Sequence, residues 1–313
     1  MRATELLRAG QLVALPTETV YGLAANALDA TAVGRIFSAK GRPAENPIIV
    51  HVSSLAMVRQ CVAEWPQLAD RFAAAFWPGP LTLVLHRSQA IPKIVTAGGE
   101  TVGVRWPSHP FIQEVIRECG FPLAAPSANR AGGISPTTAE HVRTALGDKT
   151  PLIVDGGPSS VGIESTVLDL TVQPPHVLRP GIIHSESLLA VSPIGGSRDE
   201  TGGFRSPGML PKHYSPKAKL VVWSWDDEAD LRRSLRARNL STVHVIAHTH
   251  IPAGDGLAGV SVIPHDPEAF ARALYAELHR CDGQGAELIV VEAVPESAPW
   301  QAIADRLRRA ASE

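Results

Sequence analysis

With 313 residues, 44% hydrophobic and 19% charged, the chain has the composition of an ordinary soluble protein and the length for two domains, each burying its own core. A formal net charge of −2 excludes a global basic field that would draw in a nucleic-acid backbone, leaving only a local basic patch. Cys61, Cys119 and Cys281 are far apart and odd in number, which fits buried thiols in a reducing compartment and neither a disulfide framework nor a metal knuckle.

The N-terminus, MRATELLRAGQ, lacks the apolar core of a signal peptide, and no apolar run approaches membrane length, so a cytoplasmic protein with no membrane partner is expected. Runs rich in Val, Ile and Leu predict strands at 11–15, 47–52, 81–86, 101–105, 123–125, 152–154, 166–170 and 176–178. Amphipathic stretches predict helices at 3–9, 31–39, 67–76, 110–118 and 138–146, the first ending at Gly10 and the last at Gly147. Mixed strands and helices define an α/β (α+β) sheet domain over 1–191.

Residues 192–217, SPIGGSRDETGGFRSPGMLPKHYSPK, break the rhythm with glycines, prolines and serines that build no core. The segment reads as a linker, yet Arg198, Arg205, Lys212, His213 and Tyr214 give it more chemistry than a tether needs, so a lid is expected. Beyond it, strands at 220–225, 242–247, 260–263 and 288–291 alternate with helices at 228–238, 267–281 and 299–311, a smaller α/β domain over 218–313.

The chemistry concentrates in the first domain. PTETVYGLAANA (16–27) sets Thr17, Glu18, Thr19 and Tyr21 just after the first strand, where hydroxyls suit a small polar ligand. KGRPAENPIIVH (40–51) and AAPSAN (124–129) put Lys40, Arg42, Ser127 and Asn129 in two strand-edge loops. Lys-Gly-Arg alone is an ordinary solvated turn; the two segments together suit a polyanion such as a nucleoside triphosphate. WPGPLTLVL (77–85) reads as a pocket wall or plain core. TVGVRWP (101–107) offers Arg105 for a carboxylate or a structural ion pair. In SANRAGGISPTTAEH (127–141), Ser135 and Thr137 precede a helix as natural N-terminal caps. VDGGPSSVGIESTVLDL (154–170) leads to Ser165, and VLRPG (177–181) supplies Arg179.

Other signals are weaker. There is no P-loop, and Gly254, Gly256 and Gly259 lead into a strand where a dinucleotide site needs a helix, so they read as a turn. His244, His248 and His250 share a strand face with no acidic or cysteine partner nearby in sequence, which favours a surface cluster over a metal site. No Ser-His-Asp or Cys-His order suggests covalent catalysis.

These motifs, in order through LRPG and on to SPGMLPKHYSP, resemble the YrdC family in the long, two-domain form of its threonylcarbamoyl-AMP synthases. The resemblance covers nearly all of 4–220 and is weaker over 221–313. It implies a twisted mixed-sheet YrdC-type domain with a central cavity, followed by a smaller Rossmann-like α/β domain. It implies synthesis of threonylcarbamoyl-AMP from L-threonine, bicarbonate or CO2, and ATP with Mg2+, pyrophosphate being released. The product is expected to pass to a tRNA threonylcarbamoyl-transferase complex. By position it implies ATP contacts at Arg42, Asn46, Thr101, Ser127, Ser135, Arg179 and Tyr214, and L-threonine contacts at Thr19, His51, Arg105, Ala125 (backbone) and Ser165. Lys40, Arg42, Ser127 and Asn129 are the expected catalytic signature, with no protein-held metal. Two other functions compete: carbamoyl transfer from carbamoyl phosphate, and a non-catalytic RNA-binding module, against which the charge and the lack of an aromatic platform weigh.

Overall fold

The computed structural model describes residues 1–195, 213–236 and 242–311. Arg198, Arg205 and Lys212, and the last two residues of the helix expected at 228–238, lie outside the described residues. Contacts divide the chain into one unit of 1–131 with 135–209 and a second of 132–134 with 210–313.

The first unit is built on an eight-stranded mixed sheet. Its strands are β1 (Val13–Leu15), β2 (Gly22–Asn26), β3 (Val50–His51), β4 (Leu81–His86), β5 (Thr101–Arg105), β6 (Leu123–Ala124), β7 (Thr166–Asp169) and β8 (His176–Arg179). The spatial order is β1-β2-β6-β3-β5-β4-β7-β8, parallel only at β3–β5 and β4–β7. Its helices are α1 (Arg2–Arg8), α2 (Ala30–Lys40), α3 (Leu55–Cys61), α4 (Gln67–Phe76), α5 (Pro110–Cys119), α6 (Ala139–Leu146) and α7 (Ser185–Leu189).

Period-two alternation sorts the sheet into two faces of different character. Leu81, Leu83 and Leu85 of β4 and Val102 and Val104 of β5 join the apolar core with Val50 and Leu168. The helices pack there through stripes such as Ile112, Val115, Ile116 and Cys119 of α5. The other face carries Thr82, Gly103, Arg105 and His51, whose backbone positions are fixed by the register Leu83↔Val104, Val84↔Gly103 and His51↔Arg105.

Helix ends follow local chemistry. Asp29 caps α2 by accepting from the N–H groups of Thr31 and Ala32, and Gly41 closes it at φ +61°, a conformation that favours glycine. Helix α5 begins with Pro110 at its first turn and ends at Gly120, φ +76°.

Four expectations need correction. The segment 152–154 forms only a single bridge, Ile153 to Ala14, because Pro151 and Asp155-Gly156-Gly157 leave too little chain to pair. The strand expected over 47–52 is regular only at Val50–His51, since Ile48 N–H donates to the Val95 carbonyl instead. Strand β2, Gly22–Asn26, held by β1 and β6 on either side, was not foreseen within 16–27. Helices α3 and α7 were not foreseen.

The second unit is a four-stranded, all-parallel sheet in the order β11-β10-β12-β9. The strands are β9 (Lys219–Trp223), β10 (Val243–Ala247), β11 (Gly259–Val262) and β12 (Leu288–Glu292), joined through α8 (Glu228–Arg236) and α9 (Pro267–Gly283) and followed by α10 (Gln301–Ala310). Central strands β10 and β12 are buried along their whole length, as parallel strands covered on both faces require. Among the described residues no helix is long and apolar enough to cross a membrane.

Candidate active site

The site begins with the inner face of the eight-stranded sheet. His51 ends β3, Arg105 ends β5 and Arg179 ends β8, while Ser165 stands just before β7. Because β3 runs parallel to β5, β7 parallel to β4, and β4 and β8 antiparallel to their partners, all four residues gather at one end of adjacent strands. Ala125 follows β6, which runs antiparallel to β3, and donates its N–H to the Ile49 carbonyl at 3.1 Å, so its backbone sits level with Ile49, two residues short of His51. Thr101 starts β5 and therefore sits at the opposite end, lining a small cleft with Pro47, Thr82, Val84 and Gly103. A Cβ at Gly103 would come within 3.1 Å of Thr82 Cγ2, so glycine there keeps the face low.

Arg105 is 4% exposed and committed to the protein itself. Its Nη1 donates to Thr19 Oγ1 at 2.8 Å, its Nε to the Gly79 carbonyl at 3.2 Å, and its Nη2 lies 2.7 Å from Glu18 Oε1. Both readings of Arg105 therefore meet in one residue, a guanidinium held by an internal carboxylate at a candidate carboxylate site. Thr19 is positioned by Thr17, whose Oγ1 accepts from the Thr19 and Val20 N–H groups and lies 2.9 Å from Thr19 Oγ1. Burial, and secondarily the Arg105 charge, push the His51 imidazole down to about 3, so the ring is neutral.

Ser165 Oγ lies 2.8 Å from Thr82 Oγ1 and accepts from Arg179 Nη2 at 3.1 Å, while Arg179 Nε and Nη2 also bond the Ser165 carbonyl. Thr82, fully buried, was not foreseen as part of the site. Its signal was its place in register, one step beyond Leu83↔Val104 and so opposite Arg105. Close approach at this corner requires Gly181, where a Cβ would fall 2.3 Å from the Thr166 nitrogen.

The two loops meet through Lys40. It is the last residue of α2, 3% exposed, and its Nζ donates to the carbonyls of Ser127 and Asn129. Burial, then the charge of Arg42, lowers its pKa well below the usual lysine range. The reading of Lys40 as an exposed loop cation is thus corrected: position 40 continues the apolar stripe of Val33 and Ile36 and turns inward. Ser127 Oγ donates to Asn129 Oδ1 at 2.6 Å. Arg42 braces its own loop, donating to Asn46 Oδ1 at 2.7 Å and to the Asn46 and Pro47 carbonyls.

Ser135 does not cap the following helix; Thr138 does, accepting from His141 N–H at 3.3 Å. Ser135 Oγ instead donates to Glu164 Oε1 at 2.5 Å. The glycine loop at 155–157 is pinned by Tyr21, whose hydroxyl donates to the Gly157 carbonyl and accepts from Gly156 N–H.

In the second unit, Tyr214 takes φ +63° and buries its ring against Tyr275, with the centroids 5.8 Å apart and the Arg306 guanidinium 5.6 Å from its centre. The histidine cluster also differs from expectation. Glu292 at the end of β12 accepts from the N–H groups of His248, Thr249 and His250 and lies 2.9 Å from His250 Nδ1. An acidic partner exists, supplied by a strand 42 residues away, and among the described residues no group of side chains is arranged to hold a metal.

A mixed sheet with a polar, cation-bearing inner face, joined to a separate parallel-sheet unit, defines a YrdC-type domain with an appended Rossmann-like domain. Residues 5–181 match the Sua5/yciO/yrdC family model, described as telomere recombination, and residues 183–312 match the model described as threonylcarbamoyl-AMP synthase, C-terminal domain. The chain belongs to this family. It is 40% identical to a threonylcarbamoyl-AMP synthase of Pyrococcus abyssi, covering 98% of this chain and 92% of that one. Identity to the Bacillus subtilis protein of the same name is 39%, covering 99% and 92%. The crystal structure of Pyrococcus abyssi Sua5 complexed with L-threonine superposes with a TM-score of 0.91 at 38% identity, over 99% of this chain and 93% of that one.

Proposed function

We propose that the chain is a nucleotidyltransferase that makes L-threonylcarbamoyl-AMP from L-threonine, bicarbonate or CO2, and ATP, releasing pyrophosphate for the first step of a tRNA modification. The observation that carries the reading is the gathering of Arg105, neutral His51, Ser165 and Arg179 at one end of the inner sheet face. In this proposal Thr19, His51, Arg105, Ser165 and the Ala125 backbone hold L-threonine. Arg42, Asn46, Thr101, Ser127, Ser135 and Arg179 hold ATP.

The chemistry follows from the inventory. A carbamate is a weak nucleophile that water destroys, so orientation and exclusion of water dominate. Its oxygen attacks the α-phosphorus as the bond to pyrophosphate breaks, and the growing negative charge falls to Arg42 and Arg179. In this proposal Lys40, whose Nζ donates to the Ser127 and Asn129 carbonyls, holds the two loops in place. The donors around these loops are hydroxyls, amides and cations, which fit phosphates, so Mg2+ would arrive on the triphosphate, where it neutralises phosphate charge. The downstream acceptor would be a complex that transfers the threonylcarbamoyl group to tRNA, reached in the cytoplasm.

Pyrophosphate release tests the reading. It is expected only when L-threonine and bicarbonate are both present. Release that needs carbamoyl phosphate would instead favour the related carbamoyl-transfer chemistry, and no turnover of ATP would favour a binding module.

A further inference from the structure

We infer that Glu18 is the amine-binding group of the amino-acid site and the first acceptor of the proton that the amine must lose. The inference rests on the proposed reading of an amino acid at Arg105 and His51.

Glu18 is 5% exposed, in the loop between β1 and β2. Its Oε1 is occupied: Ser108 N–H donates to it at 3.0 Å and Arg105 Nη2 lies 2.7 Å away. Among the described residues, Glu18 Oε2 and His51 Nδ1 are buried without a hydrogen-bond partner. The cluster therefore presents a buried cation with two uncommitted acceptors beside it, one of them on an anion. That is the complement of a zwitterion: a carboxylate on Arg105 Nη2, an ammonium on Glu18 Oε2, and His51 Nδ1 as second acceptor when its ring carries the proton on Nε2. Burying such groups unsatisfied is costly, so a ligand that satisfies all three is favoured.

The chemistry requires the ammonium to give up a proton, because its nitrogen has no lone pair. One N–H proton passes to Oε2. The freed pair then forms the N–C bond to CO2 while a C=O π pair moves onto oxygen, and the second N–H proton passes to water, leaving the carbamate. Burial raises the proton affinity of Glu18, and the charge and hydrogen bonds of Arg105 more than offset it, so the free carboxyl is ionised. A substrate carboxylate on Arg105 would share that guanidinium and make Oε2 more basic once the amino acid is bound. His109, the cap of α5, also faces this charge.

The test is calorimetric titration of the full chain with L-threonine and with 2,3-dihydroxybutyrate, which replaces the ammonium by a hydroxyl. The wild type is expected to prefer L-threonine about 100-fold, the worth of one buried charge-assisted contact. In Glu18→Gln that preference should collapse to about threefold or less, with ATP affinity held within about threefold. Glu18→Asp, a second variant should the amide fail to fold, should weaken L-threonine about tenfold and leave the dihydroxy acid unchanged. A variant that keeps the wild-type preference overturns the inference. A wild type that binds ATP but not L-threonine overturns the amino-acid reading itself, and the inference with it.

Discussion

Each unit buries a glutamate at its strand ends beside histidines, and the two are satisfied differently. Glu292 has both oxygens filled, by the N–H groups of His248, Thr249 and His250 and by the His250 ring. Its partners are mostly backbone, so the carboxylate locks the loop after β10 to the end of β12. Glu18 has one oxygen filled, by Ser108 N–H and Arg105, and one open. Both carboxyls sit below the usual range: burial raises each, then hydrogen bonds (and for Glu18 the Arg105 charge) outweigh it. A closed carboxylate serves the scaffold, whereas one with an open oxygen is available to chemistry.

The largest effect should come from Arg105. Arg105→Ala leaves Glu18 charged, buried and unpaired, so unfolding free energy should fall by about 3–5 kcal/mol in denaturant titration. Threonine-dependent pyrophosphate release should fall at least ~100-fold even where the variant remains folded. If activity survives in the folded fraction, the Glu18–Arg105 pair is scaffold like Glu292, and the contrast between the units fails.

Lys40 comes next. Lys40→Met removes donors from the carbonyls of Ser127 and Asn129 while keeping the stem of the side chain. Stability should fall by about 1–3 kcal/mol, the usual cost of orphaning buried acceptors. A variant as stable as wild type but inactive would restore the direct catalytic role that the Lys-x-Arg and Ser-x-Asn loops suggest.

Glu292→Gln sharpens the comparison from the other side. One filled oxygen becomes a donor facing backbone N–H groups, so the second unit should lose about 1–2 kcal/mol, seen as faster amide exchange in β10 and β12. Exchange in β4 and β5 and the rate of pyrophosphate release should stay within about twofold of wild type, since the hydrogen bonds of Glu292 go to His248, Thr249 and His250 of its own unit. Loss of activity without loss of protection would mean that Glu292 is functional.

How legible this was depends on where partners lie along the chain. The strands at 81–86 and 101–105 emerge at their predicted limits because apolar residues fill them and Gly, Pro or charge bounds them. Strand β2, Gly22–Asn26, has one large apolar residue, and its neighbours β1 and β6 decide its state. The inward turn of Lys40 was readable in the spacing of Val33, Ile36 and position 40. The partners of the two glutamates were not readable: Glu18 accepts from Ser108 N–H across 90 residues, and Glu292 meets His250 across 42. Sequence shows that Thr17, Glu18 and Thr19 are polar beside a strand; only the folded sheet shows which oxygen is left open.

The smallest expected effect concerns His51, and its sign can be worked out. Burial, then the positive charge of Arg105, holds the imidazole near a pKa of about 3, below its ordinary 6.5. Between those values the unfolded chain binds a proton at this ring and the folded chain does not, so stability from this residue rises with pH across the window. It is fully present above pH 6.5 and is lost as the pH falls towards 3. His51→Gln, which cannot titrate, should therefore show a flatter dependence of unfolding free energy between pH 5 and pH 7, by up to about one proton's slope. Over pH 7 to 9 the threonine-dependent rate should carry no inflection from this ring, because it stays neutral throughout. Equal slopes in the two proteins would mean that the ring titrates in the fold as it does in the unfolded chain, and so carries charge below about pH 6.5. Beside Arg105, a charged ring would then need the still-open oxygen of Glu18 as its counter-ion, and that oxygen would be closed as those of Glu292 are.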